Sequence, residues 1–341
     1  MATRYTRRVQ LVGGSTYVVS LPKDWARQVG IGSGSELELE VLPDGSLLLR
    51  PRGGNDDRRA LEYVVEVDEH SDFNMLVRRV MAGYVAGFKS IRIVKKSVAA
   101  QKLVEKLVDV VHKRVLGLEV LDEDASSLLL QNIVDTSFTE IWSTLRRLVR
   151  VTITMHEDTF QCMASRSECN ELFQSIRERD NLADKLYLLI LRQLVETGMD
   201  PSEAARQDIT MPETLFIASL AKNVERIADY ATAIARIIVG SEEKIPRQII
   251  ELYNTVIGVL KRVLKAALEP SEEDIEEASR QSDEAKKRIK EVRSSYGYAV
   301  PSSTGLLLEI LSRTIAHSID ILEAILDMEA LRKAIELKRK Q

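Results

Sequence analysis

The chain has 341 residues, more than one ordinary domain of roughly 100–200 residues accommodates, so two or three domains are expected. Its 48 basic and 52 acidic side chains leave a net of −4, which excludes a uniformly basic coat but not a local basic patch. Aromatics make up 5% and charged residues 29%, with aliphatics dominating the apolar set, and this composition predicts a mostly helical globular protein. Cys162 and Cys169 are the only two cysteines, too few for a disulfide scaffold or a thiolate metal cluster. Seven residues apart, they are expected as two small residues on one helix face. Met1–Gln10 is polar and basic, unlike a signal peptide, and no apolar run approaches the roughly 18 residues of a membrane span. A cytoplasmic protein without membrane insertion is expected.

Short extended runs open the chain: Val9 and Leu11, then Tyr17–Leu21, with Gly13-Gly14-Ser15-Thr16 between them. A short helix is predicted over Lys23–Val29, after Pro22. Glu36–Val41 alternates as a half-buried strand, Pro43-Asp44-Gly45 signals a turn, and Leu47–Leu49 returns. Residues 1–52 are too few to close a good core alone and would gain by sharing strands with a second copy. Pro51–Arg59 is the first linker candidate by glycine content and charge.

Residues 60–134 change rhythm. Leu61–Val67, Ser90–Val94, Leu118–Leu121 and Leu128–Val134 read as strands, and Phe73–Gly87 and Ser97–Arg114 as helices. Leu76, Val80 and Tyr84 recur every fourth residue, marking the buried face of the first helix. The order β-α-β-α-β-β predicts a small α+β, ferredoxin-like connecting domain with helices on one side of its sheet.

From residue 136 onward the chain reads as helix, broken at Pro201, Pro212, Pro246, Pro270 and Pro301. Amphipathic segments such as Leu172–Glu196 and Thr214–Ile238 predict two tandem three-helix units, 136–240 and 245–335. A weak internal repeat agrees: Arg226–Ala235 is similar to Arg313–Leu322, and Arg179–Tyr187 less closely to Ser282–Lys290. The two offsets differ, which places a longer connection around Met199–Pro212.

Two constellations carry chemistry. Arg4, Arg7, Arg8, Lys23 and Arg27 stand against Asp24 alone in the first thirty residues, a local net of +4. Such a cluster suits phosphate backbones and base edges, or is simply a solvated strand. Asp180 and Asp184, like Glu225 and Asp229, are carboxylates four apart on one helix face. On facing helices they could hold a cation, or each could be an ordinary charged face. His70, His112, His156 and His317 lack any metal-ligand spacing and are expected as surface or half-buried polar residues. Gly30, Gly32 and Gly34 mark a turn, not a dinucleotide loop. With no Walker A run, no G-x-S-x-G elbow and no catalytic constellation, an enzyme is not expected.

The run Arg8-Val9-Gln10-Leu11-Val12-Gly13-Gly14-Ser15-Thr16, then Val18-Val19-Ser20-Leu21-Pro22-Lys23-Asp24-Trp25 and Gly30–Leu37, resembles the AbrB/SpoVT/MazE swapped-hairpin family. That resemblance implies a dimer-forming β-barrel of two chains over residues 1–52. It also implies double-stranded DNA as partner, faced by Arg4, Arg7, Arg8, Lys23 and Arg27, with a pseudo-palindromic operator matching a homodimer. Family members that act as antitoxins grip a toxin protein instead.

Arg177–Leu194 is similar to the second helix of an archaeal-type PhoU domain, and Val224–Ala231 to its third helix with an acidic ERIxD signature. This implies regulation of phosphate uptake and a divalent, iron or zinc-type metal held by Asp180, Asp184, Glu225 and Asp229. It also suggests a phosphate transporter or signalling protein as an alternative partner, the first domain then only dimerising. The second unit departs from the pattern. Lys287 replaces a carboxylate beside Asp283, and Ser312 and Ala316 stand where Glu225 and Asp229 stood, so a metal is expected in the first unit alone.

Overall fold

The computed structural model describes residues 4–41, 45–52, 62–134, 139–165, 169–297 and 300–339. Contacts divide the chain into two compact units, residues 1–58 and 59–341.

The first unit is two β-hairpins and one short helix. β1 (Gln10–Val12) pairs antiparallel with β2 (Thr16–Val18). Gly13 and Gly14, both at positive φ, make the turn between them. Helix α1 (Lys23–Gln28) follows Pro22, and β3 (Leu37–Val41) pairs with β4 (Leu47–Pro51). Pro43 and Asp44 of the expected turn, and most of the expected linker, lie outside the described residues. The two hairpins form separate two-stranded sheets, and no described residue of 4–52 is fully buried.

The second unit begins with an α+β layer. β5 (Glu62–Val67), α2 (Phe73–Val85), β6 (Ser90–Lys95), α3 (Gln101–Arg114), β7 (Leu118–Glu123) and β8 (Ser127–Asn132) follow in order. The sheet order is β5-β6-β8-β7; β5 and β6 are parallel and the other pairs antiparallel. A sheet beneath two helices is shared with ferredoxin-like domains, but their β-α-β-β-α-β connection is not. Here α2 crosses between the parallel neighbours, α3 follows β6 directly, and a hairpin closes the sheet. One face of β6 buries Ile91 and Ile93 under Leu76, Val80 and Tyr84 of α2 and Leu107 and Val111 of α3. Asp72 caps α2 by accepting from the Met75 amide at 2.7 Å. The helix expected from Ser97 starts as a single 3-10 turn, Val98–Ala100.

The helical part is α4 (Ile141–Ala164), α5 (Cys169–Met199), the short α6 (Pro201–Arg206), α7 (Glu213–Gly240), α8 (Arg247–Leu268), α9 (Glu272–Ser295) and α10 (Ser302–Arg339). Three long helices fall on each side of residues 241–246, and α6 occupies the longer connection expected in the first unit. The prolines act as start signals: Pro201 is in the first turn of α6, and Pro212 and Pro246 immediately precede α7 and α8. Both three-helix units share one apolar core, with α7 packed on α10 and α4 on α8.

Two expectations are corrected here. Cys162 and Cys169 do not share a helix. They close the α4–α5 turn as a disulfide, with Cα atoms 4.4 Å apart, because the chain reverses between them. His156 is neither exposed nor half-buried; it is completely buried in the bundle. Burial is tolerated because both ring nitrogens are used: Nε2 lies 2.9 Å from the Ile227 carbonyl on α7 and Nδ1 2.9 Å from Tyr253 Oη on α8. The carbonyl can only accept, so Nε2 carries the proton and the tyrosine hydroxyl donates to Nδ1.

The α+β layer is fastened to the bundle by Arg192 of α5. Its guanidinium donates to the carbonyls of Tyr84 at 2.7 Å, Phe88 at 3.0 Å and Gly87 at 3.2 Å. These are carbonyls at and beyond the end of α2, where a cation also meets the negative pole of the helix dipole. Gly87, at φ +87°, lets the chain turn away there.

Candidate cation site and basic arm

Asp180 and Asp184 sit one turn apart on α5, and Glu225 and Asp229 one turn apart on α7, which packs along α5. Side-chain oxygens of Asp184, Glu225 and Asp229 all lie within 4.8 Å of one another. That spread is no more than about twice a Ca–O bond of roughly 2.3–2.6 Å, so one hard cation fits among them. Asp180 is left outside this group of three. Its half-buried carboxylate lies against Thr232 on the adjoining turn of α7, close enough for the hydroxyl to oppose the rise in its pKa although the pair falls short of a well-formed hydrogen bond.

The field at this site is strongly negative. Burial, reinforced by the Asp180 and Glu225 carboxylates, pushes Asp184 up to about 6. Burial, with Glu225 and Asp184 adding to it, does the same for Asp229, also up to about 6. Asp180 is likewise raised to about 6, mainly by burial, with the Thr232 hydroxyl opposing and the Asp229 and Glu225 carboxylates adding to the rise. Clustered carboxylates of this kind prefer either a proton or a cation. Two basic side chains supply part of the compensation: Lys222 Nζ lies 2.8 Å from Glu225, and Arg226 Nη1 lies 3.2 Å from Asp229. Lys222 also lies over the Tyr187 ring, 4.5 Å from its centroid. Arg114, at the end of α3 in the α+β layer, adds a positive charge opposing the rise at Asp184. With its all-oxygen donor set and the half-buried Asp180 carboxylate beside it, the site fits a hard divalent or iron-type ion better than thiolate- or imidazole-bound zinc.

Among the described residues, the second three-helix part, α8 to α10, has no such set. Asp283 and Lys287 are exposed on α9, and Ala316 is exposed on α10. Thr232 and Lys222 were not singled out by sequence reasoning. Both stand three residues from an acidic member of the site, Thr232 from Asp229 and Lys222 from Glu225, and that helical spacing was the available signal.

In the first unit, Arg4, Arg7 and Arg8 precede β1, Lys23 opens α1 and Arg27 lies in its last turn. All five are exposed, and none forms an ion pair among the described residues. Arg7 rests over the Tyr5 ring, 5.5 Å from its centroid. In the same unit Val9, Leu11, Val12, Tyr17, Val18 and Val19 also lie open to solvent.

Two family models match the chain. Residues 10–57 match the model described as antidote-toxin recognition MazE, bacterial antitoxin. Residues 145–238, spanning nearly all of α4 through α7, match the PhoU domain. The architecture is therefore a MazE/AbrB-type hairpin segment at the amino end and a PhoU domain in the helical part, and both families are regulatory, non-enzymatic domains. The PhoU match contains all four carboxylates; the MazE match contains Lys23 and Arg27 and begins after Arg8. Comparison with curated proteins finds no match. No helix among the described residues is long and apolar enough to cross a membrane.

Proposed function

We propose that this chain is a DNA-binding transcriptional regulator of phosphate uptake that works as a homodimer. The observation that carries this reading is the open first unit. Val9, Leu11, Val12, Tyr17, Leu39, Val41 and Leu47 are all exposed, which leaves the hairpins without a core of their own. A second copy offering the same hairpins would bury these faces and place two sets of Arg4, Arg7, Arg8, Lys23 and Arg27 on one two-fold surface. The link to phosphate rests on the PhoU match.

In this reading the PhoU-type bundle senses a cation, a phosphate-linked signal or a partner. Asp184, Glu225 and Asp229 hold the cation, with Asp180 beside them. The ion supplies fixed positive charge where three carboxylates otherwise repel one another. Regulation follows as a population shift, and requires that the signal bind two arrangements of the dimer with different affinity.

The test is fluorescence anisotropy of the full chain on DNA from upstream of its own gene, titrated with salt. Affinity should exceed that for scrambled DNA, fall steeply with salt, and be lost in Arg7→Glu/Arg8→Glu. Equal binding to scrambled DNA with an unaffected variant would overturn the DNA reading. It would leave a dimerising hairpin and a bundle that docks on a transporter or signalling protein.

A further inference from the structure

Lys222 of α7 belongs to two acidic neighbourhoods at once. On one side its ammonium lies 2.8 Å from Glu225 Oε2, in the most deeply buried of the three carboxylates at the candidate cation site, and 4.5 Å from the centroid of the Tyr187 ring. On the other side Lys222 lines a groove of about 440 Å³ between α7 and α10, together with Asn223, Asp320, Glu323 and Asp327. The three α10 carboxylates follow one another at three- and four-residue spacing, hence on one helix face. His317 Nδ1 lies 3.3 Å from Asp320. Glu323 and Asp327 are exposed and have no ion pair among the described residues.

The hold on Lys222 is light. Of the three donors on its nitrogen, one serves Glu225, and the side chain stays 37% exposed against 10% for Glu225. A flexible four-carbon stem lets such an ammonium swing while its backbone stays fixed in the helix. Arg226, the other base at the site, has Asp229 at 3.2 Å and Glu225 at 3.9 Å, so it stays there if either contact is lost.

Resting on the cation reading above, we propose that Lys222 is the site's own counter-cation: it holds Glu225 until a divalent ion binds, then crosses to Glu323 and Asp327 in the α7–α10 groove. A divalent ion carries twice the charge of an ammonium and approaches oxygen to about 2.0–2.6 Å, so it wins Glu225 from the lysine. The displaced ammonium is repelled by the ion, and the groove it already lines offers it two carboxylates without another base. Binding between α5 and α7 thereby adds an ion pair between α7 and α10, which belong to different three-helix units. Lys222 in this role is a positioning residue that links the two units, and it never touches the ion.

The test is calorimetric titration of the full chain with Mn2+ alone at pH 7.5 and about 0.15 M salt, which screens long-range charge. It is run as a cycle of Lys222→Gln against Glu323→Gln/Asp327→Asn, with far-UV circular dichroism establishing that each chain is folded. Lys222→Gln should tighten Mn2+ binding by about 10-fold, because no ammonium has to leave Glu225. Glu323→Gln/Asp327→Asn should weaken binding by about 2- to 5-fold beside Lys222, the weight of an exposed ion pair, and leave it unchanged beside Gln at that position. Equal weakening in both backgrounds, or none in either, would overturn the transfer. So would a Lys222→Gln chain that binds Mn2+ no more tightly than wild type. The cation reading fails by a different sign: Mn2+ then binds no chain, or binds Asp184→Asn as tightly as wild type, and the proposal falls with it.

Discussion

Tyr230 and His317 stand at positions that the internal repeat equates, and they touch. The hydroxyl lies 3.2 Å from Nε2, and the ring centroids are 5.7 Å apart. His317 Nδ1 also reaches Asn223 Oδ1 at 2.7 Å. The repeat seam between α7 and α10 is thus polar at its middle, as it is at the Glu213–Arg332 ion pair, 2.6 Å long, near the start of α7. His317→Ala should cost about 1–3 kcal/mol, since it leaves the mostly buried Asn223 short of a partner. Tyr230→Phe should cost about 1 kcal/mol or less. Urea unfolding of the two variants measures the difference, and equal effects would count against the shared seam.

The three carboxylates make cation binding a stability measurement. At pH 7.5, millimolar Mn2+ or Ca2+ should raise the melting temperature of the chain. At pH 5 the rise should shrink, because Asp184 and Asp229, both at about 6, are then largely protonated and must lose protons to bind. Asp184→Asn should abolish the cation-dependent rise while making the metal-free protein more stable at neutral pH, by relieving repulsion. An equal rise in wild type and Asp184→Asn would place the ion elsewhere.

His156 gives an opposing pH signature. Burial lowers it to about 4 from the usual 6.5. A depressed folded value means the unfolded chain takes up protons first, so stability is complete above about pH 6.5 and is lost as pH falls toward 4. The full shift corresponds to about 3 kcal/mol. Asp180, Asp184 and Asp229 run the other way: their folded values are raised, so their contribution is complete below about pH 4 and is lost as pH rises through about 6. Denaturant melts between pH 4 and 7 on wild type and Asp184→Asn separate the two, since the variant should lean more toward the histidine's slope.

Arg192 spreads three carbonyls over two nitrogens of a rigid fork, a geometry that the single ammonium nitrogen of lysine does not reproduce. Arg192→Lys should loosen the end of α2, and Arg192→Ala should cost about 3 kcal/mol or more by leaving buried acceptors unpaired. Hydrogen exchange at residues 84–90 should rise in both variants, with the bundle core protected. Uniform loss of protection along the bundle would mean that the arginine supports the whole unit instead of this seam.

Periodicity made most of this architecture legible. Leu76, Val80 and Tyr84 repeat every fourth residue and are buried together, and the prolines at 201, 212 and 246 mark helix starts. The acidic pairs were legible because four-residue spacing stacks side chains on one face. The features that stayed hidden depend on contacts distant in sequence. His156 meets residues 71 and 97 positions away, Arg192 meets carbonyls more than 100 positions back, and the cysteines meet because the chain turns between them. No spacing rule encodes such meetings. The element order of the α+β layer was legible, but the strand neighbours β5-β6-β8-β7 were not, since the order of elements does not dictate which strands pair.

Asp180, Asp184, Leu188 and Arg192 follow one another at every fourth position of α5. The first two face the cation site, Leu188 packs into the α+β core, and Arg192 grips the end of α2. The row spans about 18 Å of helix at 1.5 Å per residue. α5 thus carries the acidic cluster and the grip on α2 along one unbroken helix. If the proposed ion binding rotates or slides α5, the same displacement reaches the α+β layer, because no break in the helix separates the two ends.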